Sequence, residues 1–240
     1  MRFAVISVTK SNLVTIGRYL HGGHVDGAIV VADRGPHSLA GSLPTLGFPV
    51  VAVGRSMQPS RAPYIDADNR VAAQHVVEYL LAQGRQSIAH IAGPPDMVAA
   101  ADRLAGYQDG MRARSAADLP IAYGDWSHAS AVHAMEQLLD RRPHLDAVFA
   151  ASDAMAAGAL WALQRSGRRI PEDVAVVGFD DLPLAVQVNP ALTTVRQPIE
   201  AFGTLAARRL IAMIEAGDHA PDLGPEATVL PTTLIRRKSA

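Results

Sequence analysis

The sequence predicts an α/β protein made of doubly wound parallel sheets, and three observations support this prediction. Short runs rich in Val, Ile and Ala alternate with longer segments of helical periodicity. The short runs are mostly unbroken by polar residues, as is typical of parallel strands covered on both faces. The chain has 240 residues, of which 49% are hydrophobic and 19% charged. That composition allows one large domain or two small lobes.

Six apolar runs are predicted as the first strands of these sheets. In chain order they are Phe3–Val8, Gly27–Ala32, Val50–Val53, Ser87–Ile91, Ala147–Ala150 and Val174–Phe179. Two further runs with β propensity, Ala227–Leu230 and Thr232–Ile235, come near the C-terminus and are not followed by a helix.

Five helices are predicted between and after these strands. The first follows "DADN", where Asp68 can cap the first turn, and ends at Gly84. The others span about 97–114, 127–139, 152–167 and 199–215, and each has apolar residues at helical spacing.

Composition excludes several classes of function. The net charge is −1, so strong nucleic-acid binding by this chain alone is not expected, because phosphates are neutralised by clustered Lys and Arg. One basic cluster, Arg236–Lys238, is interpreted as a solvated tail. The chain has no Cys, which excludes disulfides and thiolate sites. No apolar stretch has the length needed to cross a membrane, and "MRFAVISVTKSN" is interpreted as a strand rather than a signal peptide.

Polar residues follow several of the predicted strands, where ligands of parallel sheets bind. They are Arg55 after "VVAVG", Ser152 and Asp153 after "AVFAA", Asp180 and Asp181 after "VAVVGF", and Gln197 after "LTTVR". Carboxylate, guanidinium and amide groups together suit a ligand that bears hydroxyl groups. For each residue alone, the alternative is a helix cap or an ion-pair partner.

Catalytic chemistry is not predicted. The nine His residues show no metal-binding spacing such as H-E-x-x-H, and the sequence has no G-x-S-x-G or Walker motif. Asp180 and Asp181 could form an acid/base pair, but adjacent side chains usually point in different directions. We therefore expect a protein that is not an enzyme and that uses no metal and no cofactor.

Eight segments, in order, resemble the effector-binding domain of the lactose-repressor (LacI) family of bacterial transcription regulators. They are "HVDGAIVV" (24–31), "IDADNRVAAQHVVEYLLAQGRQSIAHIAG" (65–93), "DRLAGYQDGM" (102–111), "GDWS" (124–127), "AVFAASDAMAAGAL" (147–160), "IPEDVAVVGFDDLPLA" (170–185), "NPALTTVRQP" (189–198) and "LPTTLIRRKS" (230–239). The resemblance implies the type I periplasmic-binding-protein fold, in which three crossovers join two doubly wound parallel-sheet lobes with the ligand between them. The implied lobes are 1–65 plus 198–228 and 66–197 plus 229–240.

The resemblance also implies ligand-binding roles for six residues. Arg103 matches an arginine that binds ligand hydroxyls or carboxylates, and Trp126 matches an aromatic residue that stacks on a sugar or base. Asp180 matches a carboxylate that accepts ligand hydroxyls. The other three are Arg55, Gln197 near the hinge, and Ser152, whose position is often Asn in the family. Asp153 is interpreted as a helix cap and Asp181 as the cap of the short turn through Pro183.

The sequence departs from the family pattern at its N-terminus. Nothing in it resembles the family's helix-turn-helix and hinge helix, and "RFAVISVT" resembles the second strand of the first lobe. The first strand and first helix of that lobe are therefore expected to be missing, through a mis-assigned start codon or a shortened chain. A chain that truly begins at Met1 would have an unstable first lobe or would re-pair its strands.

The function that the resemblance implies is ligand sensing and dimerisation in a cytoplasmic transcriptional repressor. A small-molecule effector would close the lobes and so control DNA binding by an N-terminal domain absent from this chain. Trp126 together with Asp180 favours a sugar over a purine. A homodimer and no membrane partner are expected. The alternatives are a solute-binding protein of a sugar transport system, which would need an export signal, and an α/β enzyme.

Overall fold

The computed structural model of the chain describes residues 2–7, 16, 19–20, 22–31, 39–112, 119–217 and 227–240. Val8, Ala32 and residues 113–114, which end three of the predicted elements, lie outside these described residues.

The described residues form eleven strands, numbered in chain order. They are β1 Phe3–Ser7, β2 Gly27–Val31, β3 Val50–Val53, β4 Tyr64–Ala67, β5 Ile88–Ala92, β6 Ile121–Tyr123, β7 Ala147–Ala150, β8 Ala175–Asp180, β9 Thr193–Arg196, β10 Ala227–Leu230 and β11 Thr233–Ile235. The predicted apolar runs do not include β4, β6 and β9. Polar residues interrupt β4 (YIDA) and β9 (TTVR), and β6 has only three residues, so none of them forms an unbroken apolar run of four.

The α-helices of the described residues are likewise numbered in chain order. They are α1 Leu39–Ser42, α2 Asn69–Ala82, α3 Val98–Arg112, α4 His128–Arg141, α5 Asp153–Arg165, α6 Leu184–Gln187 and α7 Ile199–Ala216, and a 3-10 helix spans Leu43–Leu46. The five longer helices confirm the predicted ones. Asp68 caps α2 as expected, because its side chain accepts a hydrogen bond from the Val71 amide at 3.1 Å.

The chain divides into two compact units, and each contains one sheet. The first unit comprises Met1–Ala67, Asp96–Ala99 and Pro198–Pro231, and the second comprises Asp68–Pro95, Ala100–Gln197 and Thr232–Ala240. The predicted lobes place 66–67, 96–99 and 229–231 in the second lobe, whereas in the structure these residues belong to the first unit. For the first and last of these ranges the reason is that β4 runs to Ala67 and β10 pairs with it.

The sheet of the first unit has the strand order β1-β2-β3-β4-β10, and all its described pairs are parallel. Residues of α7, among them Phe202 and Leu210, pack with β2, β3 and β4 on one face. The prediction that Phe3–Val8 is covered on both faces is wrong for the described part, since Phe3 is 43% and Val5 66% exposed. The reason is that β1 lies at the sheet edge and pairs with β2 alone among the described strands.

The sheet of the second unit has the order β11-β9-β8-β7-β5-β6, and only β11 is antiparallel among its described strands. Residues of α4 and α5 pack on one face and residues of α2 and α3 on the other. Every residue of β5 and β7 is buried. These strands confirm the doubly wound prediction, because both of their faces are covered.

The C-terminal segment belongs to the second unit. The prediction that Arg236–Lys238 is a solvated tail agrees with the exposure of Arg236 and Lys238, but it is wrong for Arg237. Arg237 donates hydrogen bonds to the Leu192 carbonyl at 2.8 Å and to Asp181 at 2.6 Å. Ser239 is fully buried, and its hydroxyl donates to the Val176 carbonyl at 2.6 Å. The charge of this segment could not reveal these contacts, because the partners of Arg237 lie far away in the sequence.

Candidate ligand-binding site

Six side chains of the second unit form what we call the Arg103 cluster. They are Asn69, Arg103, Trp126, Phe179, Asp180 and Gln197. Asp180 ends β8, Gln197 follows β9, and Trp126 follows β6 by three residues. The cluster therefore lies at the carboxyl ends of the strands, where parallel sheets bind their ligands.

Arg103 projects from α3 and is held from several directions. Its Nε donates to Asn69 Oδ1 at 2.9 Å and its Nη1 to the Ala151 carbonyl at 2.6 Å. Nη1 also lies 3.3 Å from Asp180 Oδ1. Only 4% of the residue is exposed. Groups of the protein thus hold the guanidinium in place, which lowers the entropic cost of binding a ligand.

Asp180 is the carboxylate of the cluster. Gln197 donates to its Oδ1 at 2.6 Å, and Arg103 forms the ion pair just described. Burial raises the pKa of Asp180, while Arg103 and Gln197 act in the opposite direction by stabilising the charged form. The carboxylate is therefore partly desolvated yet paired, as suits an acceptor for ligand hydroxyls.

Trp126 places an aromatic ring beside these polar groups. Its ring centroid lies 5.7 Å from the Arg103 guanidinium carbon, and the ring packs against the apolar core of the second unit. A Cβ atom on Gly93 would lie 2.5 Å from the ring, so the ring can occupy this position only because residue 93 has no side chain. An aromatic face next to charged hydrogen-bonding groups matches the alternating apolar and hydroxyl surface of a sugar.

The other two predicted ligand residues have different surroundings. Ser152 is 5% exposed, and its hydroxyl accepts from the Met155 amide at 3.3 Å as the N-cap of α5. Arg55 belongs to the first unit, where its Nε donates to Asp66 Oδ2 at 3.0 Å. The structure therefore brings four of the six predicted residues together: Arg103, Trp126, Asp180 and Gln197. Ser152 follows Ala151, whose carbonyl binds Arg103. Arg55 belongs to the other unit. Ligand binding by these six residues stays a prediction.

Sequence reasoning missed Asn69 and Phe179. Asn69 is 1% exposed and begins α2 just after β4. An amide side chain close to the carboxyl end of a strand could have indicated a site residue. Phe179 lies within β8 and supports the Arg103 guanidinium with its ring, 3.7 Å from the centroid to the guanidinium carbon. The sequence gives no signal for that role, because a buried Phe in a strand looks like any core residue.

The cap roles predicted for Asp153 and Asp181 are wrong. Ser152 caps α5, whereas Asp153 accepts from the Leu182 amide at 2.7 Å and from the Thr194 hydroxyl at 2.6 Å. Asp181 pairs with Arg196 and Arg237, each at 2.6 Å, and the Pro183 end of α6 has no side-chain cap. Both carboxylates find partners that are distant in the sequence, which changes their role from local caps to tertiary contacts.

Among the described residues, no group of three or more His, Asp or Glu side chains could hold a metal ion. None of the helices in the described ranges is long and apolar enough to span a membrane.

The fold and the cluster together define the class of the protein. Parallel sheets with a polar and aromatic cluster at the strand ends are features of α/β proteins that bind small molecules. A family model described as periplasmic binding protein-like domain matches residues 77–240.

The relatives narrow this class to one family. The transcriptional regulator CelR of Thermobifida fusca is 41% identical over 228 residues, covering 93% of this chain and 66% of that protein. The ribose operon repressor of Halalkalibacterium halodurans is 35% identical, covering 90% of this chain and 62% of that protein. The solved CelR–cellobiose complex has a TM-score of 0.87 at 34% identity, covering 99% of this chain and 84% of that one.

The chain belongs to the LacI family of transcription regulators and corresponds to their ligand-binding domain. A LacI-family regulatory protein from Chloroflexus aggregans also superimposes, with a TM-score of 0.84 at 27% identity over 99% of this chain and 98% of that one. The chain spans no more than about two thirds of the length of the two curated relatives, 66% and 62%. Because these relatives are regulators, the transport alternative is not favoured.

Proposed function

We propose that this chain is the effector-binding and dimerisation domain of a bacterial transcriptional repressor and that its effector is a small sugar bound at the Arg103 cluster. The observation that supports this most strongly is the joint placement of Arg103, Asp180 and Gln197 beside the Trp126 ring. The protein is proposed to act in the cytoplasm as a regulator and not as an enzyme.

The chemistry of the cluster favours a polyhydroxylated ligand. Asp180 can accept two hydroxyl hydrogen bonds, and Arg103 can donate from a fixed fork. Trp126 supplies an apolar face for the C–H face of a sugar ring. A relative solved with cellobiose and another named for the ribose operon support a sugar for this chain. Arg55 of the first unit is proposed as a further ligand contact on the family pattern alone.

The regulatory part of the proposal is a population shift. A sugar changes DNA binding only if it binds two arrangements of the regulator with different affinity. The DNA contacts are assigned to a helix-turn-helix domain outside these residues. A chimera that joins this chain to the DNA-binding domain of CelR tests this part, since a bound sugar should change operator affinity measured by fluorescence anisotropy. An unchanged operator affinity at saturating sugar would contradict the regulatory role.

A homodimer is the proposed assembly. Family membership supports it, and so do exposed apolar side chains of the second unit, since Val186 is 60% and Trp161 40% exposed. Sedimentation velocity should give twice the 25.4 kDa chain mass, and Val186→Glu should shift the protein to monomers. A wild-type protein that sediments as a monomer would overturn the dimer.

Calorimetric titration tests the sugar site. We expect cellobiose or ribose to bind the wild-type chain and a purine nucleoside to bind less tightly. Arg103→Ala and Asp180→Ala should each cost about 1.5–3 kcal/mol of binding free energy, because each removes a charge-assisted hydrogen-bond partner. Arg112→Ala is the matched control, since Arg112 is an arginine of the same helix whose side chain is 71% exposed. Unchanged affinity in both cluster variants would reject the site.

A further inference from the structure

The two residues after Phe179 adopt a backbone conformation that L-amino acids rarely hold. Asp180 has a φ of 109° and Asp181 a φ of 58°. Two consecutive non-glycine residues of this kind are costly, and such strain persists only where the surroundings impose it. The orientation of the Asp180 carboxylate therefore depends on contacts made by neighbouring residues.

Asp153 makes one of these contacts. Its carboxylate is fully buried and bonds to the Leu182 amide just beyond the strained pair and to the Thr194 hydroxyl on β9. Gly178 on β8 leaves the room that this needs, because a Cβ atom there would overlap Asp153 Oδ1. Asp153 thus reaches from the start of α5 across β8 and ties the loop after β8 to β9.

Asp181 makes the second contact from within the loop. Its carboxylate pairs with Arg196 at the end of β9 and with Arg237 of the C-terminal segment. Arg237 is itself fixed through its hydrogen bond to the Leu192 carbonyl. Two sets of contacts therefore hold Asp180 and Asp181 in place. Asp153 binds the Leu182 amide just after them, and two arginines bind the side chain of Asp181.

Burying the carboxylate of Asp153 costs folding free energy, so stability alone does not explain an Asp at this position. Desolvation raises the pKa of its carboxyl to about 6, with smaller contributions from the charges of Asp180 and Asp181. A buried carboxyl with a shifted pKa near the charge of Asp180 is a candidate for a role in the same site.

We infer that Asp153 and Asp181 are positioning residues that hold the Asp180 carboxylate in its ligand-binding orientation without touching the ligand. Asp153 fixes the loop through the Leu182 amide, and Asp181 fixes it through Arg196 and Arg237. The inference rests on the proposed sugar site, because it assigns a ligand role to Asp180.

Sugar affinity and backbone hydrogen exchange test this inference together. Asp153→Ala should weaken sugar binding by about tenfold, because both restraining hydrogen bonds are lost, and should speed exchange of the Leu182 amide. Asp153→Asn should keep near-wild-type values of both, since its carbonyl can accept from Leu182 and its amide can donate to Thr194. If Asp153→Ala does not fold, Thr194→Val removes one of the two bonds and should give a smaller loss of affinity.

Asp181→Ala provides a second variant, and it should weaken sugar binding in the same direction. Leu138→Ala is the control, because it removes a buried side chain of α4 and destabilises the same unit without touching this loop. The sugar affinity of the folded Leu138→Ala variant should equal that of the wild type.

The outcomes separate the inference from the proposed function. If the wild-type chain binds no sugar, the proposed function fails, and the exchange of Leu182 still decides whether Asp153 restrains the loop. Wild-type affinity in Asp153→Ala, or an equal loss in Asp153→Asn and Leu138→Ala, would overturn the positioning role.

Discussion

The guanidinium of Arg103 lies on the ring of Phe179, with its central carbon 3.7 Å from the ring centroid. Phe179 immediately precedes Asp180, so one strand end supplies both an aromatic support and an ion-pair partner for the same arginine. The two contacts act on different parts of the guanidinium. Arg103 is therefore positioned by β8 twice, through the ring and through the carboxylate.

Replacing Phe179 should weaken ligand binding through Arg103. Phe179→Leu keeps an apolar residue but removes the ring, and a buried cation–π contact contributes about 2 kcal/mol. We expect sugar affinity to fall by several-fold in calorimetric titration. Phe202→Leu alters a buried Phe of the first unit and should leave the affinity unchanged. Equal affinities of the two variants would show that the ring does not position Arg103.

Replacing Gly93 by Ala should displace Trp126. The added Cβ would lie 2.5 Å from the Trp126 ring, closer than carbon atoms approach, so the ring must move. Sugar affinity should fall and the Trp fluorescence should change. Gly203→Ala is the control, because a Cβ there meets no atom within 4 Å. It should leave binding intact and add about 0.5–1 kcal/mol of stability to α7.

The buried carboxyl of Asp153 predicts how stability depends on pH. Its pKa is raised from 3.8 to about 6, so the folded state binds this proton more tightly than the unfolded state. Its contribution to stability is greatest at low pH and is lost as the pH rises from about 4 to about 6. The difference between the two pKa values corresponds to about 3 kcal/mol at pH 7.

Asp153→Asn should remove this dependence. In urea unfolding, the variant should gain stability relative to wild type at pH 7, and the gap should shrink towards pH 4. The comparison reports Asp153 together with its coupling to Asp180 and Asp181, whose charges raise its pKa. Asp125 and Asp173, whose pKa values are lowered to about 2, are not among the groups that shift the pKa of Asp153. A gap that stays constant between pH 4 and pH 7 would contradict a raised pKa for Asp153.

Comparing alanine variants of two capping serines, Ser152 and Ser127, shows whether Ser152 also binds the ligand or only caps its helix. Ser152 caps α5, and Ser127 caps α4 by accepting from the Ser130 amide at 3.1 Å. Ser152→Ala and Ser127→Ala should each cost about 0.5–2 kcal/mol of unfolding free energy. If Ser152 also contacts the ligand, only Ser152→Ala should lower sugar affinity. Equal affinities would restrict Ser152 to its cap.

Much of the fold could be predicted because strands and helices are encoded by residues close together in the chain. The apolar runs at 87–91 and 147–150 predicted buried parallel strands, and β5 and β7 are buried throughout. Phe3–Val8 looks the same in sequence, yet β1 is largely exposed. Strand order decides this difference, and a local pattern does not report strand order.

The sequence by itself determined that Asp180 ends a buried strand and that Arg103, Trp126 and Gln197 accompany it in the order of one family. Only the tertiary structure decided their partners. Arg103 meets Asn69 across 34 residues, Asp153 meets Thr194 across 41, and Asp181 meets Arg237 across 56. Hydrogen bonds and ion pairs form over about 3 Å, so they are set by which elements the sheet brings together, whereas a cap or a strand period is set by neighbours along the chain.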